Sequence, residues 1–153
     1  MSLQNTITKV IAVLKVAIIG VPPADVYTST KGVYEGDQMG YSAYPVICVG
    51  VPSLLDETFP VIAAHTLLDE EYAIEIVAYV QYADTAVNAR EIITLTDKIR
   101  SALRADMKPP LEPLGGDCYL GQVGTSKFTF GAKGDILLRV SVTIVNYTER
   151  SVV

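Results

Sequence analysis

The C-terminal part of the chain alternates apolar and polar residues with the period of a β-strand. Over residues 135–150, the even-numbered side from Ile136 to Ile144 is wholly apolar, whereas the odd-numbered side mixes Ser141 and Thr143 with apolar residues. Successive side chains of a strand point to opposite faces, so the pattern predicts a half-buried strand whose mixed side is the outer face. Its length is roughly twice the usual five or six residues.

Two other segments repeat apolar residues at intervals of three and four, which predicts two amphipathic helices. The first has Thr6 or Thr8 as its expected N-cap, and Gly20 with the pair Pro22-Pro23 is expected to end it. The apolar face of this helix consists of Ile7, Val10, Ile11, Leu14 and Ile18.

The second predicted helix covers residues 86–104, with Asp84 or Thr85 as its N-cap. It ends before the connector 107–116, whose three prolines and two glycines exclude a helix. The residues expected to face the core are Ala89, Ile92 or Ile93, Leu95, Ile99, Ala102 and Leu103.

Further strands are predicted between these elements. Residues 45–51 have the β-branched content of a buried strand, and residues 59–67 and 72–83 form an antiparallel hairpin joined by an acidic turn. Two shorter segments, CYLGQV and KFTF, follow the second helix. Residues 24–44 are expected to be an extended loop or a hairpin arm with Lys31-Gly32 as its turn.

This order of elements favours an α+β fold in a single domain spanning residues 1–153. A mainly antiparallel sheet is expected to carry two helices packed on one face, with its other face uncovered. The apolar run 10–21 is too short for a membrane span and contains Lys15, so we expect a core helix in a soluble protein without membrane contact.

Charge is unevenly distributed along the chain. The net charge is −5, and residues 45–83 contain six acidic residues and no Lys or Arg. Binding of nucleic acid through a basic face is therefore disfavoured. Two cysteines, Cys48 and Cys118, lie far apart in apolar surroundings and are expected to be buried thiols.

No catalytic, metal or cofactor site is predicted. The single histidine, His65, has only Thr66 as an adjacent hydroxyl, and neighbouring strand residues face opposite sides, so a structural histidine is preferred. The glycines of residues 116–127 do not fit a phosphate-binding loop and are assigned to a turn between strands. The contiguous acids at residues 69–71 lack the alternation of a calcium loop. We therefore do not expect an enzyme.

Because no catalytic or ligand site is predicted, we expect function to depend on surfaces that contact other molecules. Tyrosine is favoured at interfaces because its rigid ring buries area at low entropic cost. The candidate residues for contact with a partner, all from the loop between the first helix and the first strand, are Tyr27, Tyr34, Tyr41 and Tyr44. Ordinary half-buried tyrosines are the alternative interpretation.

Surfaces of opposite charge predict a head-to-tail contact between copies, which closes into a ring when the rotation divides the circle. The acidic candidates for this interface are Asp56, Glu57, Asp69, Glu70 and Glu71. The basic candidates are Arg90, Lys98, Arg100, Arg104 and Arg139. Ordinary solvated charge is the competing interpretation.

Five elements follow one another along the chain: the amphipathic N-terminal helix, the strand PVICV, the segment EIVAYVQYA, the helix AREIITLTDKIRSAL and the closing RVSVTIVNYTER. Together they resemble the tail terminator, or tail-completion, family of tailed bacteriophages and phage-like particles. This resemblance implies a hexameric ring that caps the tail tube, stops its polymerisation and presents a surface for head attachment.

The resemblance also implies partners and a location, and no catalytic residues. The partners would be further copies of this chain, the tail tube protein, and the sheath and neck proteins, while DNA passes through without specific binding. The protein would belong to the head-proximal end of the virion tail after assembly in the host cytoplasm. Two alternatives stay open: another connector or neck component of the head-tail joint, and a small ligand-binding α+β domain.

Overall fold

The computed structural model shows one sheet with helices on one of its faces. It describes residues 3–15, 33–35, 44–50, 53–58, 67–108, 113–116, 118 and 120–152. The helices are α1 (Leu3–Leu14) and α2 (Ala86–Met107), followed by a 3-10 turn at Pro113–Gly116. The strands are β1 (Val33–Glu35), β2 (Val46–Val49), β3 (Ser53–Thr58), β4 (Leu67–Gln81), β5 (Leu120–Lys133) and β6 (Ile136–Val152).

The six strands follow the order β1-β2-β4-β6-β5, and β3 pairs with β4 on the same edge as β2. Every pairing is antiparallel except the parallel pair of β1 and β2. The fold is α+β with a mainly antiparallel sheet, as predicted. No helix among the described residues has the length and apolar character that crossing a membrane requires.

Both helices cover the same face of the sheet, which we call the helix face. Their apolar stripes pack in one core against the even-numbered residues of β4 and the C-terminal half of β6. Helix α2 is capped by Thr85, whose hydroxyl accepts a hydrogen bond from the Asn88 amide at 3.1 Å. Of the two alternatives for its core face, Ile92 is buried and Ile93 is 49% exposed. Helix α1 begins at Leu3, so the prediction of an N-cap at Thr6 or Thr8 was wrong.

The opposite face of the sheet is also apolar and buried, which corrects the prediction of an uncovered face. A second cluster there contains Val46 and Cys48 of β2, Tyr79 of β4, and Leu138 and Val140 of β6, none more than 8% exposed. The apolar side of β6 belongs to this cluster. Its mixed side lies under α2.

The mixed side of β6 is therefore not the outer face that the alternation suggested. Ser141 and Thr143 are completely buried, because each hydroxyl has a hydroxyl partner. Thr96 of α2 lies 2.7 Å from the Ser141 hydroxyl, and Ser126 of β5 lies 2.8 Å from that of Thr143. Pairing of this kind allows a polar residue to occupy a core position.

Strand β4 corrects the predicted hairpin. It begins at Leu67 and continues through the acidic residues that were assigned to a turn, and these residues pair antiparallel with β3. Residues 59–66 of the predicted hairpin lie outside the described residues. Asp69 tolerates a strand position because Arg150 of β6 lies opposite and donates two hydrogen bonds to it, at 2.7 and 2.9 Å. His65 lies outside the described residues.

Strand β5 corrects the assignment of the following glycines to a turn and joins the predicted segments CYLGQV and KFTF. Gly121 and Gly124 both lie within it. Gly124 occupies a bulge between Val123 and Ser126, where a Cβ atom would lie 2.9 Å from the carbonyl oxygen of Ile144. Its role is close backbone approach within a sheet rather than a turn.

The two cysteines match the expectation. Cys48 and Cys118 are both buried, and neither forms a disulfide.

Candidate interaction surfaces

Strand β5 forms a long edge of the sheet. It pairs with β6 over its whole length, and no other described strand lies beside it. Such an edge presents backbone N–H and C=O groups to any added strand. Two large apolar side chains on this strand are exposed, Phe128 by 50% and Phe130 by 70%. The strand thus combines an open backbone edge with apolar contact groups, which natural sheets usually avoid.

A patch of exposed rings surrounds Arg139 at the end of the β5-β6 hairpin. Its guanidinium carbon lies 4.9 Å from the ring centroid of Tyr82 and 5.4 Å from that of Phe130, within the range of cation–π attraction. The two rings meet edge to face at 5.9 Å. With Leu137, which is 60% exposed, these residues form what we call the Arg139 patch. It borders a cleft of about 370 Å³.

The Arg139 patch is held in place by Asn88 in the first turn of α2. The Asn88 carboxamide oxygen accepts hydrogen bonds from Arg139 Nε at 2.7 Å and from the Ala83 amide at 2.8 Å. Its nitrogen donates to the carbonyl oxygen of Gln81 at 2.9 Å. A single buried side chain therefore joins the end of β4, the start of α2 and β6.

A second cleft lies between the C-terminal end of α2 and the start of β5. We call it the basic groove because Arg104 and Lys108 line it, together with Met107 and Gly121. Its volume is about 500 Å³. Gly121 makes the groove possible, since a Cβ atom there would lie 2.9 Å from the Met107 methyl group.

Strand β3 forms part of the opposite edge of the sheet and is acidic. Its Leu54 is 50% exposed and its Glu57 is exposed. Glu57 lies opposite Glu70 of β4, and Glu70 lies opposite Glu149 of β6. Carboxylates that lie directly opposite each other in a sheet repel. These three glutamates form a row of like charge at the acidic end of the sheet.

The acidic residues predicted for the interface lie in β3 and β4, and part of their charge has partners within the chain. Asp69 forms the ion pair with Arg150. Glu70 accepts a hydrogen bond from the Tyr72 hydroxyl at 3.0 Å, and burial together with this bond raises the pKa of Tyr72. Asp56 lies opposite Glu71 in the β3-β4 pairing.

The predicted basic residues divide into exposed and internal ones. Arg90 and Arg104 are exposed on α2, and Lys98 is half-buried. Arg100 donates hydrogen bonds to the Gly124 carbonyl oxygen at 2.5 Å and to Ser126 Oγ at 3.0 Å, so it serves the bulge of β5. This role of Arg100 could not be predicted from the sequence.

The predicted tyrosines do not form one loop surface in the described residues. Tyr34 lies in β1 rather than in a loop, and Tyr44 is half-buried against the cluster on the face away from the helices. Tyr27 and Tyr41 lie outside the described residues.

Sequence reasoning missed Phe128, Phe130 and the cluster around Arg139 as surface features. The segment KFTF does alternate polar and aromatic residues, but its exposure follows from the edge position of β5. No protein-family model matches this sequence, and no curated protein sequence is significantly similar to it.

Proposed function

We propose that this protein is a structural component of a phage tail, a homo-oligomeric ring that caps the tail tube, stops its polymerisation and provides the head-attachment surface. Six subunits are the number implied by the family that the sequence resembles. The observation that carries the proposal is the β5 edge with its exposed Phe128 and Phe130. Burying a phenylalanine side chain contributes about 1.5–3 kcal/mol, so contact with another chain would stabilise this edge substantially.

The charge distribution supports contact between unlike surfaces. The β3 edge is acidic and the β5 side carries the basic groove, so one copy meets the next head to tail. An overall acidic protein also suits a lumen through which DNA slides without binding.

The Arg139 patch supports a second contact along a different direction. It lies at the end of the β5-β6 hairpin, whereas the basic groove lies at the other end of the same strands. Lateral contacts through Phe128 and Phe130 leave Tyr82, Arg139 and Leu137 of this patch available. We assign it to the tail tube protein or to a sheath or neck protein.

The first test is the oligomeric state. Light scattering at micromolar concentration should give a multiple of the 16.5 kDa subunit mass, and electron microscopy should show rings with a lumen. The double variant Phe128→Ser with Phe130→Ser should shift the mass toward the monomer. Val87→Ser, which removes a 68% exposed apolar side chain from α2, is the matched control and should leave the ring intact. A wild-type monomer would refute the proposal.

The second test separates a terminator from another connector. Purified protein is added to growing tubes of the cognate tail tube protein, and tube length is measured by electron microscopy. A terminator arrests elongation at substoichiometric amounts relative to tube subunits. Rings that leave elongation unchanged would instead identify a connector or neck component.

A further inference from the structure

We infer that the Arg139 patch binds an acidic segment of a partner protein, with a carboxylate on the guanidinium and a large apolar side chain in the adjoining cleft. The inference deepens the proposed function and rests on it in one respect, namely that this patch faces a partner rather than another copy of the chain. The observation that carries it is an arginine whose terminal amino groups have no acceptor among the described residues.

Arg139 has unused donors at the surface of the patch. It is half-buried, yet no carboxylate among the described residues forms an ion pair with it. Its side chain makes one hydrogen bond to a described residue, from Nε to the Asn88 carboxamide oxygen at 2.7 Å. The rings of Tyr82 and Phe130 stabilise the positive charge through their faces but offer no acceptor in the guanidinium plane. The two terminal amino groups can therefore donate to the oxygens of a ligand.

The orientation of this guanidinium is fixed before a ligand arrives. Asn88 is 6% exposed, and its oxygen accepts from both Arg139 and the Ala83 amide. Its nitrogen donates to the Gln81 carbonyl oxygen at 2.9 Å and to the Glu91 carboxylate at 3.4 Å. The carboxamide thus uses its full hydrogen-bonding capacity and cannot turn without losing bonds. A planar guanidinium held in one orientation matches the two oxygens of a carboxylate.

A single carboxylate fits this site better than a phosphate or a nucleic acid. Arg139 is the one cation among the described residues of the patch, since Lys133 lies over the Tyr79 ring on the face away from the helices. The Glu91 carboxylate also places a negative charge beside the Asn88 side chain. A phosphate carries about −1.5 to −2 charges at pH 7 and would need more positive charge than this. The net charge of −5 further disfavours nucleic acid.

The apolar half of the site is the cleft beside the guanidinium. Tyr82, Phe130 and Leu137 line it, and the last two are 70% and 60% exposed. Its volume of about 370 Å³ is near the lower end of the range of small-ligand sites, so it suits one large side chain.

The distance between the two halves sets the spacing of the segment that binds. The Arg139 guanidinium carbon lies 5.4 Å from the centroid of the Phe130 ring. Side chains two positions apart in an extended segment share a face and are separated by about 6.6 Å. A segment with a leucine and a glutamate separated by one residue can therefore reach the cleft and the guanidinium together.

Peptide binding tests the inference without any other tail component. Wild-type protein is titrated into fluorescein-labelled Gly-Leu-Ser-Glu-Gly amide and into the reversed order, Gly-Glu-Ser-Leu-Gly amide, and fluorescence anisotropy is measured. One of the two orders should bind with a Kd below about 1 mM, and the same peptide with glutamine in place of glutamate should bind at least about tenfold more weakly. Equal binding of the two forms, or no binding in this range, would overturn the inference.

Variants of the patch identify the groups that bind. Arg139→Gln should abolish the preference for glutamate, and Arg139→Lys, which keeps the charge but loses the paired donors, should retain only part of it. Leu137→Ser changes an exposed residue and should weaken both peptides by a similar factor. Arg90→Gln removes an exposed arginine of α2 and is the matched control, which should bind like the wild type. A glutamate preference that survives in Arg139→Gln would overturn the inference.

The mass of the assembly separates this inference from the proposed ring. Arg139→Gln protein should keep the wild-type mass in light scattering, and a lower mass would overturn the inference in favour of a second copy at the patch. Tighter binding of a labelled oligothymidine, lost in Arg139→Gln, would overturn it in favour of single-stranded nucleic acid. A wild-type monomer that prefers the glutamate peptide would overturn the ring and support the binding site.

Discussion

Replacing Tyr147 by phenylalanine should stabilise the protein. Tyr147 is completely buried, and its hydroxyl has no hydrogen-bond partner among the described residues. A buried unsatisfied polar group costs about 1–3 kcal/mol, and phenylalanine removes it while keeping the ring that fills the core. We expect a gain of about 1 kcal/mol, at the lower end because the core relaxes around the lost oxygen. For a chain of this size, that gain corresponds to about 2–4 °C in Tm.

The same substitution should change the response to alkaline pH. Burial raises the pKa of Tyr147, and the nearby Asp106 carboxylate raises it further. The unfolded chain releases this proton near the ordinary tyrosine pKa of 10.0, whereas the folded protein keeps it. The wild-type protein therefore loses about 1.4 kcal/mol per pH unit above pH 10 from this group. Tyr147→Phe lacks this loss, so its advantage grows with pH.

The assay is denaturant unfolding followed by circular dichroism at pH 7, 10 and 11. Protein concentration must be equal in every sample, because association shifts apparent stability. Tyr82→Phe serves as the control, since Tyr82 is 37% exposed and its substitution should change stability by less than about 0.5 kcal/mol. A destabilised Tyr147→Phe protein with the wild-type pH dependence would mean that the hydroxyl is hydrogen-bonded in the folded state.

Three further tests use substitutions at contacts within the chain and the same unfolding measurement. Thr96→Val should cost about 1–3 kcal/mol because it leaves the buried Ser141 hydroxyl without its partner, and adding Ser141→Ala should recover part of that loss. Gly124→Ala should destabilise more than Gly121→Ala, because the first methyl group meets a backbone oxygen and the second meets a flexible methionine side chain. Arg150→Ala should cost at most about 1 kcal/mol, less in high salt, because its ion pair is solvent-exposed.

Each of these predictions has its own contrary result. Additive losses for the two hydroxyl substitutions would show that the side chains act independently. Equal losses for the two glycine variants would show that the strand shifts to accommodate either methyl group. A salt-independent loss at the arginine would place its energy in packing rather than in charge.

Helix α2 and strand β6 could be predicted from the sequence because their periodicities are long and uninterrupted. Which face of β6 packs against the helices could not be predicted. Both faces of the sheet pack against apolar residues, so an apolar side does not identify the helix face, and Ser141 and Thr143 occupy core positions by pairing with Thr96 and Ser126. Thr96, a polar residue on the apolar stripe of α2, was the sign in the sequence that a polar partner such as Ser141 could lie beneath the helix.

The acidic start of β4 and the glycine-containing β5 were missed for a related reason. Local composition assigned both to turns, but cross-strand partners decide their structure. Arg150, which lies opposite Asp69, is 81 residues away from it along the chain. Arg100 of the helix secures the bulge at Gly124, 24 residues away. Such partners are distant in sequence and become visible only when the strands are aligned.

The polar contacts between α2 and the β5-β6 hairpin have a consequence for association. Asn88 secures one end of the helix, Thr96 the middle, and Arg100 the bulge, so the open edge is fixed before any neighbour arrives. Ordering loose side chains and loops on binding costs about 0.5–1.5 kcal/mol for each immobilised side chain. An edge that is already rigid would avoid most of this entropy loss, so that modest contact areas would suffice for the proposed ring.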